Sequence, residues 1–253
     1  MTPARGPAGG ARSRDPALPR LRRVARLVRS GDASLILRTL GRRLASADVA
    51  LGLRRDTALP FRVPGPPLSL TVRPLEPEDV PQLVDVTGPD VTRWSIEDRL
   101  HLAYLIEAGL QTCYVAVTRE GHICYVQFLI DPGQNEKIRA LYGDLMPRLE
   151  PDEALLEAAF SLERYRGRGV MIHVMPELAR KARALGLRWL VLFASVTNVP
   201  MLKACQFTGF VPYVERREAW RFFRRQVTFR PLPAGAPYPL HTAAAGAARD
   251  LRR

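Results

Sequence analysis

One junction in the second half of the chain limits its fold more than any other feature. The apolar run Ala154-Leu155-Leu156-Glu157-Ala158-Ala159-Phe160-Ser161-Leu162 reads as a strand. Residues 170–185 carry helical spacing, and Gly186 stops them. Between the two elements stands Glu163-Arg164-Tyr165-Arg166-Gly167-Arg168-Gly169. Two glycines one residue apart let the backbone turn tightly and come close to a ligand. The helix that follows presents N–H groups without intrahelical acceptors and the positive end of its dipole. This combination suits a pyrophosphate, and the three flanking arginines add attraction and direct phosphate contacts. Position 172 is Ile where a dinucleotide-binding Gly-x-Gly-x-x-Gly needs its third glycine, and no Gly-Lys-Ser/Thr is present. The turn is therefore a phosphate cradle of neither the Rossmann nor the Walker kind.

The elements around this junction alternate between strand and helix, which makes an α/β chain. Residues 68–74 alternate as a strand, and Pro77 opens a helix to about residue 86. A second helix covers residues 95–107 and ends before Gly109. Residues 112–118 and 123–130 form a hairpin around a short turn containing Gly121. The polar stretch 131–152 is too long for an ordinary loop and predicts a short helix near 136–142. Residues 187–196 read as a buried strand, Asn198 opens another helix, and residues 210–214 and 218–229 close as two strands. Pro176 should kink the helix after the glycine turn or delay its regular start.

The ends differ from the middle. Residues 1–20 are rich in Pro, Gly, Ala and Arg and read as a disordered basic tail. Residues 21–60 read as an Arg-rich helical extension. One helix carries Leu21, Val24, Leu27 and Val28, and a second carries Leu35, Leu37, Leu40 and Leu44. A short third stretch over 48–53 precedes a linker with Pro60, Pro64, Pro66 and Pro67. Residues 231–253 read as a flexible tail, which leaves 61–230 as the folded domain. The net charge of +13 sits in these ends. Residues 1–60 hold thirteen Arg against four Asp, and 216–253 hold nine Arg against two acids, while 61–215 hold sixteen basic and nineteen acidic residues. Basic ends invite an anionic partner such as a membrane surface. A compositional preference for Arg over Lys explains the same charge without one, since only three of the 38 basic residues are Lys. Nucleic acid is disfavoured, because the Arg-rich helices carry no interleaved aromatics.

With 253 residues, 47% of them hydrophobic, the chain is long enough to bury a core without disulfide or metal staples, and no metal is expected. Three cysteines argue for a reducing compartment. No run of 18 apolar residues occurs, and the N-terminus lacks the apolar core of a secretory signal. These features predict a cytoplasmic protein.

At Arg164-x-x-Gly167-x-Gly169 and at Asn198-Val199-Pro200-Met201-Leu202-Lys203-Ala204-Cys205-Gln206-Phe207-Thr208-Gly209-Phe210, the chain resembles the GNAT (GCN5-related N-acetyltransferase) superfamily. The order of elements agrees over residues 68–229. The resemblance implies a mixed, mostly antiparallel sheet of about seven strands flanked by helices. It implies acetyl-CoA, or another acyl-CoA, as co-substrate, and a primary amine on a small molecule or peptide as acceptor. Phe160, Ser161 and Leu162 would bond the pantetheine arm through their backbone. Arg164, Tyr165, Arg166, Gly167, Arg168, Gly169 and Val170 would hold the pyrophosphate, and Asn198 would sit beside the pantetheine. Direct transfer requires a base for the amine. Glu153 and Glu157 lie four apart on the strand, hence on one face, and the apolar neighbours of Glu157 suit it to that task. Many family members carry a Tyr seven residues after the Asn as general acid. Here Cys205 occupies that position, with Tyr213 as a substitute. That departure keeps open a binding or regulatory protein on the same fold. Asp144, Glu150, Asp152 and Glu153 would give the acceptor pocket an acidic rim that favours a cationic amine.

Overall fold

Eight strands form one sheet, in the order β2-β3-β4-β5-β6-β1-β7-β8, in a computed structural model that describes residues 41, 43–61 and 69–240. The strands are β1 (Ala45–Asp56), β2 (Leu70–Pro74), β3 (Cys113–Thr118), β4 (Ile123–Ile130), β5 (Glu153–Ser161), β6 (Trp189–Ser195), β7 (Val211–Arg221) and β8 (Arg224–Pro231). Every neighbouring pair is antiparallel except β5 and β6, which run parallel and are joined by a helical crossover. A parallel pair demands such a crossover, and the long apolar run of β5 followed by the glycine turn supplies it.

Among the described residues, five helices cover the two faces: α1 (Val80–Val84), α2 (Arg93–Glu107), α3 (Asn135–Tyr142), α4 (Val170–Ala184) and α5 (Val199–Phe207). Against one face, α4 and α5 bury Val174, Met175, Leu178 and Leu202 on Leu53, Tyr125 and Leu192. On the other, α1, α2 and α3 bury Leu83, Leu102, Leu105 and Ile138 on Val115, Phe128 and Leu155. β4 is buried along its whole length because both layers rest on it. This is the element order expected from residue 68 to residue 229. Helix α4 runs unbroken through Pro176 from Val170 to Ala184, so the predicted late start does not occur.

Of the helical extension expected over 21–60, residues 41, 43 and 44 are helical, and the expectation is corrected from residue 45 on. Residues 48–53, expected as a short stretch of the helical extension, lie inside β1, and the sheet has eight strands where about seven were expected. β1 enters the sheet between β6 and β7, and Ala50 to Leu53 are buried. Small residues between Val49, Leu51 and Leu53 are compatible with helical spacing, but here they allow close strand neighbours. A Cβ on Gly52 would stand 2.3 Å from Val214 and 2.9 Å from Phe193. Arg55 fastens the end of β1. It is 3% exposed, donates to the carbonyls of Thr208, Asp56, Leu59 and Pro60, and stacks on Phe61 at 3.5 Å. The expected helices within residues 21–40, the basic tail 1–20 and the proline linker from residue 62 to 68 lie outside the described residues.

Two further boundaries move. The expected break between residues 214 and 218 falls instead at Phe222 and Phe223, where β7 turns into β8. The tail expected from residue 231 is docked as far as residue 240: Leu232, Tyr238 and Leu240 pack on the core, and Tyr238 Oη donates to the Phe210 carbonyl at 2.8 Å.

Candidate active site

The sheet opens between its parallel strands. Glu153, Ala154 and Leu155 pair with Trp189, Leu190 and Val191, and the pairing then stops although both strands continue. The cause lies in β5. Val126 faces Phe160 and Phe128 faces Glu157, so Gln127 stands opposite both Ala158 and Ala159. This is a bulge, and a bulge bends the strand that carries it. Ala158 occupies positive φ, at 52°, a strained conformation for a residue with a side chain. The gap lies at the carboxyl ends of two parallel strands, where open α/β sheets bind ligands.

The glycine turn borders this opening. Gly167 and Gly169 have φ of 74° and 71°, and a Cβ on either would meet nothing within 4 Å. Backbone conformation therefore selects glycine here, and the space beside the turn is free for a ligand. Gly169 is the N-cap of α4 and supplies no side-chain acceptor to the first N–H groups of the helix. Arg164, Arg166 and Arg168 are exposed, while Tyr165 packs on both cores and Val170 is buried beneath. Arg166 donates to the Ser161 carbonyl at 3.1 Å and lies over Phe160 at 5.4 Å. Leu162 is buried and donates its N–H to Cys124. Arg99 of α2 bonds Glu163 at 2.8 Å and the Gln82 carbonyl at 2.8 Å, tying the turn to the opposite layer. Burial pushes the Glu163 carboxyl up, but hydrogen bonds led by Arg99 leave it below its ordinary value. A cavity of about 250 Å³ adjoins the turn, with Asp85, Asp90, Arg99, His122 and Arg164 among its walls. Open glycine backbone, a helix start and exposed arginines fit a pyrophosphate.

Across the sheet, on the side of α2 and α3, Glu157 meets two residues that sequence reasoning missed. Its carboxylate is 3.5 Å from His101 Nε2, and the same nitrogen is 3.3 Å from Tyr142 Oη. Glu157 is 16% exposed at its side chain and His101 27%, so both remain reachable. Arg216 of β7 is a third missed residue. It is 8% exposed, donates to the Leu145 carbonyl at 3.1 Å and lies over Phe193 at 5.0 Å. Its Nε is buried without a hydrogen-bond partner among the described residues. Burial lowers its pKa, against the pull of Glu218, Asp48 and Glu157.

The remaining candidates fall elsewhere. Glu153 shares the face of Glu157 but sits at the closed end of the gap, four residues or ~13 Å away along the strand. It accepts from the Glu150 N–H, and burial raises its pKa. Tyr213 lies over Arg54 at 5.4 Å near that same end. Cys205 lies on α5, wholly buried in the core that α4 shares, and burial pushes its thiol up to about 12. Counting seven residues from Asn198 along α5 thus leads to a side chain that packs in the core. Asn198 is exposed, and its side chain caps α5 by accepting from the Met201 N–H at 3.2 Å.

No protein-family model and no curated protein matches the chain. Solved structures similar to it include a GNAT-family acetyltransferase from Colwellia psychrerythraea, 16% identical over 71% of this chain and 58% of that one, with a TM-score of 0.45. A GCN5-related N-acetyltransferase from Sphaerobacter thermophilus is 15% identical, over 75% of this chain and 57% of that one, with a TM-score of 0.43. A tandem GNAT protein from the clavulanic acid biosynthesis pathway is 14% identical, over 81% and 59%, with a TM-score of 0.44. The chain thus spans less than two thirds of the length of each of these three.

Proposed function

We propose that the protein is an acyl-CoA-dependent N-acyltransferase, in its simplest form an acetyltransferase acting on a primary amine. The observation that carries this reading is the β5–β6 opening, with an anion cradle at one border and the Glu157–His101–Tyr142 cluster on the other face. Arg164 to Val170 would hold the pyrophosphate through backbone N–H groups and guanidinium charge. Phe160, Ser161 and Leu162 would line the pantetheine arm on the β5 side, with Asn198 across from them on the α5 side. Bound acyl-CoA supplies the activated acyl group.

The chain's own residues handle the proton and the charge. Glu157 accepts a proton from the ammonium of the acceptor, which frees the nitrogen lone pair for attack. His101 orients that carboxylate and links it to Tyr142. The bulge at Ala158 frees backbone N–H groups toward the gap, where they polarise the acyl carbonyl. Asp144, in the turn directly after Tyr142, would draw a cationic amine toward the site.

Two variants test the reading separately. Gly167→Asp puts bulk and negative charge into the cradle, and calorimetry with acetyl-CoA should detect no binding while circular dichroism stays native. Glu157→Gln should leave acetyl-CoA affinity within about twofold and lower turnover by about two to four orders of magnitude, measured over a panel of amines. Unchanged affinity in the first variant removes the cradle from the site. Acetyl-CoA binding without turnover on any amine in the unmodified protein favours a regulatory role over an enzyme.

A further inference from the structure

Arg43, Arg221, Arg224 and Arg225 meet at a single hairpin tip. Phe222 and Phe223 join β7 to β8 with φ of 47° and 64°, and they are 80% and 57% exposed. Two-residue turns of this hand favour Asn and Gly, because residues with larger side chains are strained there. The neighbours on either side, Arg221 and Arg224, are exposed and lie opposite each other in the register. Like charges in that position repel. Behind them, Trp220 carries Arg43 at 5.7 Å and Arg225 at 5.8 Å from its ring. The turn N–H groups of Phe222 and Phe223 donate to the carbonyls of Leu44 and Arg43, so the chain enters β1 at this tip. Residues 1–44, which lead into it, contain eleven Arg and two Asp.

We propose that this tip docks the protein on an anionic phospholipid surface. Phe222 and Phe223 enter the boundary between headgroups and acyl chains, and Arg43, Arg221 and Arg224 meet lipid phosphates. The exposure of the rings and the repulsion between the arginines are both offset at such a surface. The rings leave water, and the facing guanidinium groups gain counter-charge. A nucleic acid fits less well, since single strands are held by aromatics spread along a groove rather than paired at an apex. Among the described residues no helix is long and apolar enough to cross a membrane, so the attachment is to the surface. The proposal is independent of the acyl-transfer reading.

The test is co-sedimentation of the full chain with vesicles. Binding is expected to phosphatidylcholine vesicles containing ~30% phosphatidylserine, to weaken with salt, and to be absent on pure phosphatidylcholine. The double variant Phe222→Asn, Phe223→Gly keeps the turn type and relieves its strain. It should raise the melting temperature while weakening vesicle binding at least tenfold. Arg221→Ser with Arg224→Ser should weaken binding to the anionic vesicles as well. No binding by the unmodified chain overturns the proposal. So does full binding by the phenylalanine variant, or binding to a single-stranded RNA that outcompetes the vesicles.

Discussion

Strand β6 has two borders that behave in opposite ways. Toward β5 it pairs over three residues and then parts; toward β1 it pairs over seven, from Ala50–Ser195 to Asp56–Trp189. One border exposes backbone and holds the candidate site, and the other is sealed and buried. An open gap inside a sheet leaves polar backbone groups without ladder partners, which is tolerable only if the surrounding strands are fixed by other contacts. β1 supplies that fixation through Leu51 and Leu53 in the core and the Arg55 clamp below. The comparison shows why a site can tolerate strain at Ala158: the rigidity comes from the neighbouring border.

The most drastic way to break the comparison is to delete residues 1–56. Removing β1 leaves β6 and β7 with unpaired interior edges, and the product is expected to be insoluble or to lack a cooperative melting transition. Deleting residues 1–40 should leave far-ultraviolet circular dichroism and acetyl-CoA affinity unchanged. Equal behaviour of the two deletions would mean that β1 is dispensable and that the sealed border does not support the open one. A gentler break is Arg55→Ala, which strands the buried Thr208 carbonyl and unties Leu59 and Pro60 from the end of β1. A loss of about 3 kcal/mol is expected, hence a melting point lower by roughly 6–12 °C. The smallest effect belongs to the open border. Ala158→Gly relieves the positive φ, and calorimetric melting should register a gain of no more than about 1 kcal/mol. A lower melting point instead would show that the Ala158 methyl contributes more by packing than its backbone loses by strain.

The glycine junction at the open border was legible in sequence and the sealed border was not, for reasons that separate local from distant determinants. The β5–turn–α4 junction announces itself through an apolar run and two glycines that both occupy positive φ. Asn198 as the cap of α5 is equally local. By contrast, β1 is a strand because of β6 and β7, which lie far along the chain, and its small residues fit helical and extended periods alike. The bulge at Ala158 has no glycine to mark it, and neither does the Phe222–Phe223 turn. His101, Tyr142 and Arg216 come from α2, the end of α3 and β7, so no spacing joins them to Glu157. Cys205 was placed by counting along a helix, and a count does not say which way a side chain faces.

The position of β1 also sets an order of events during synthesis. Its partners in the register run from Trp189 to Ser195 and from Val211 to Arg221, so Ala45 waits for Arg221. On a ribosome, most of the chain must emerge before the strand made first can take its place. Until then β6 lacks the neighbour on its sealed side, and an apolar segment with unpaired edges is the kind of intermediate that aggregates. The same placement that makes the sheet rigid when finished makes it slow to finish.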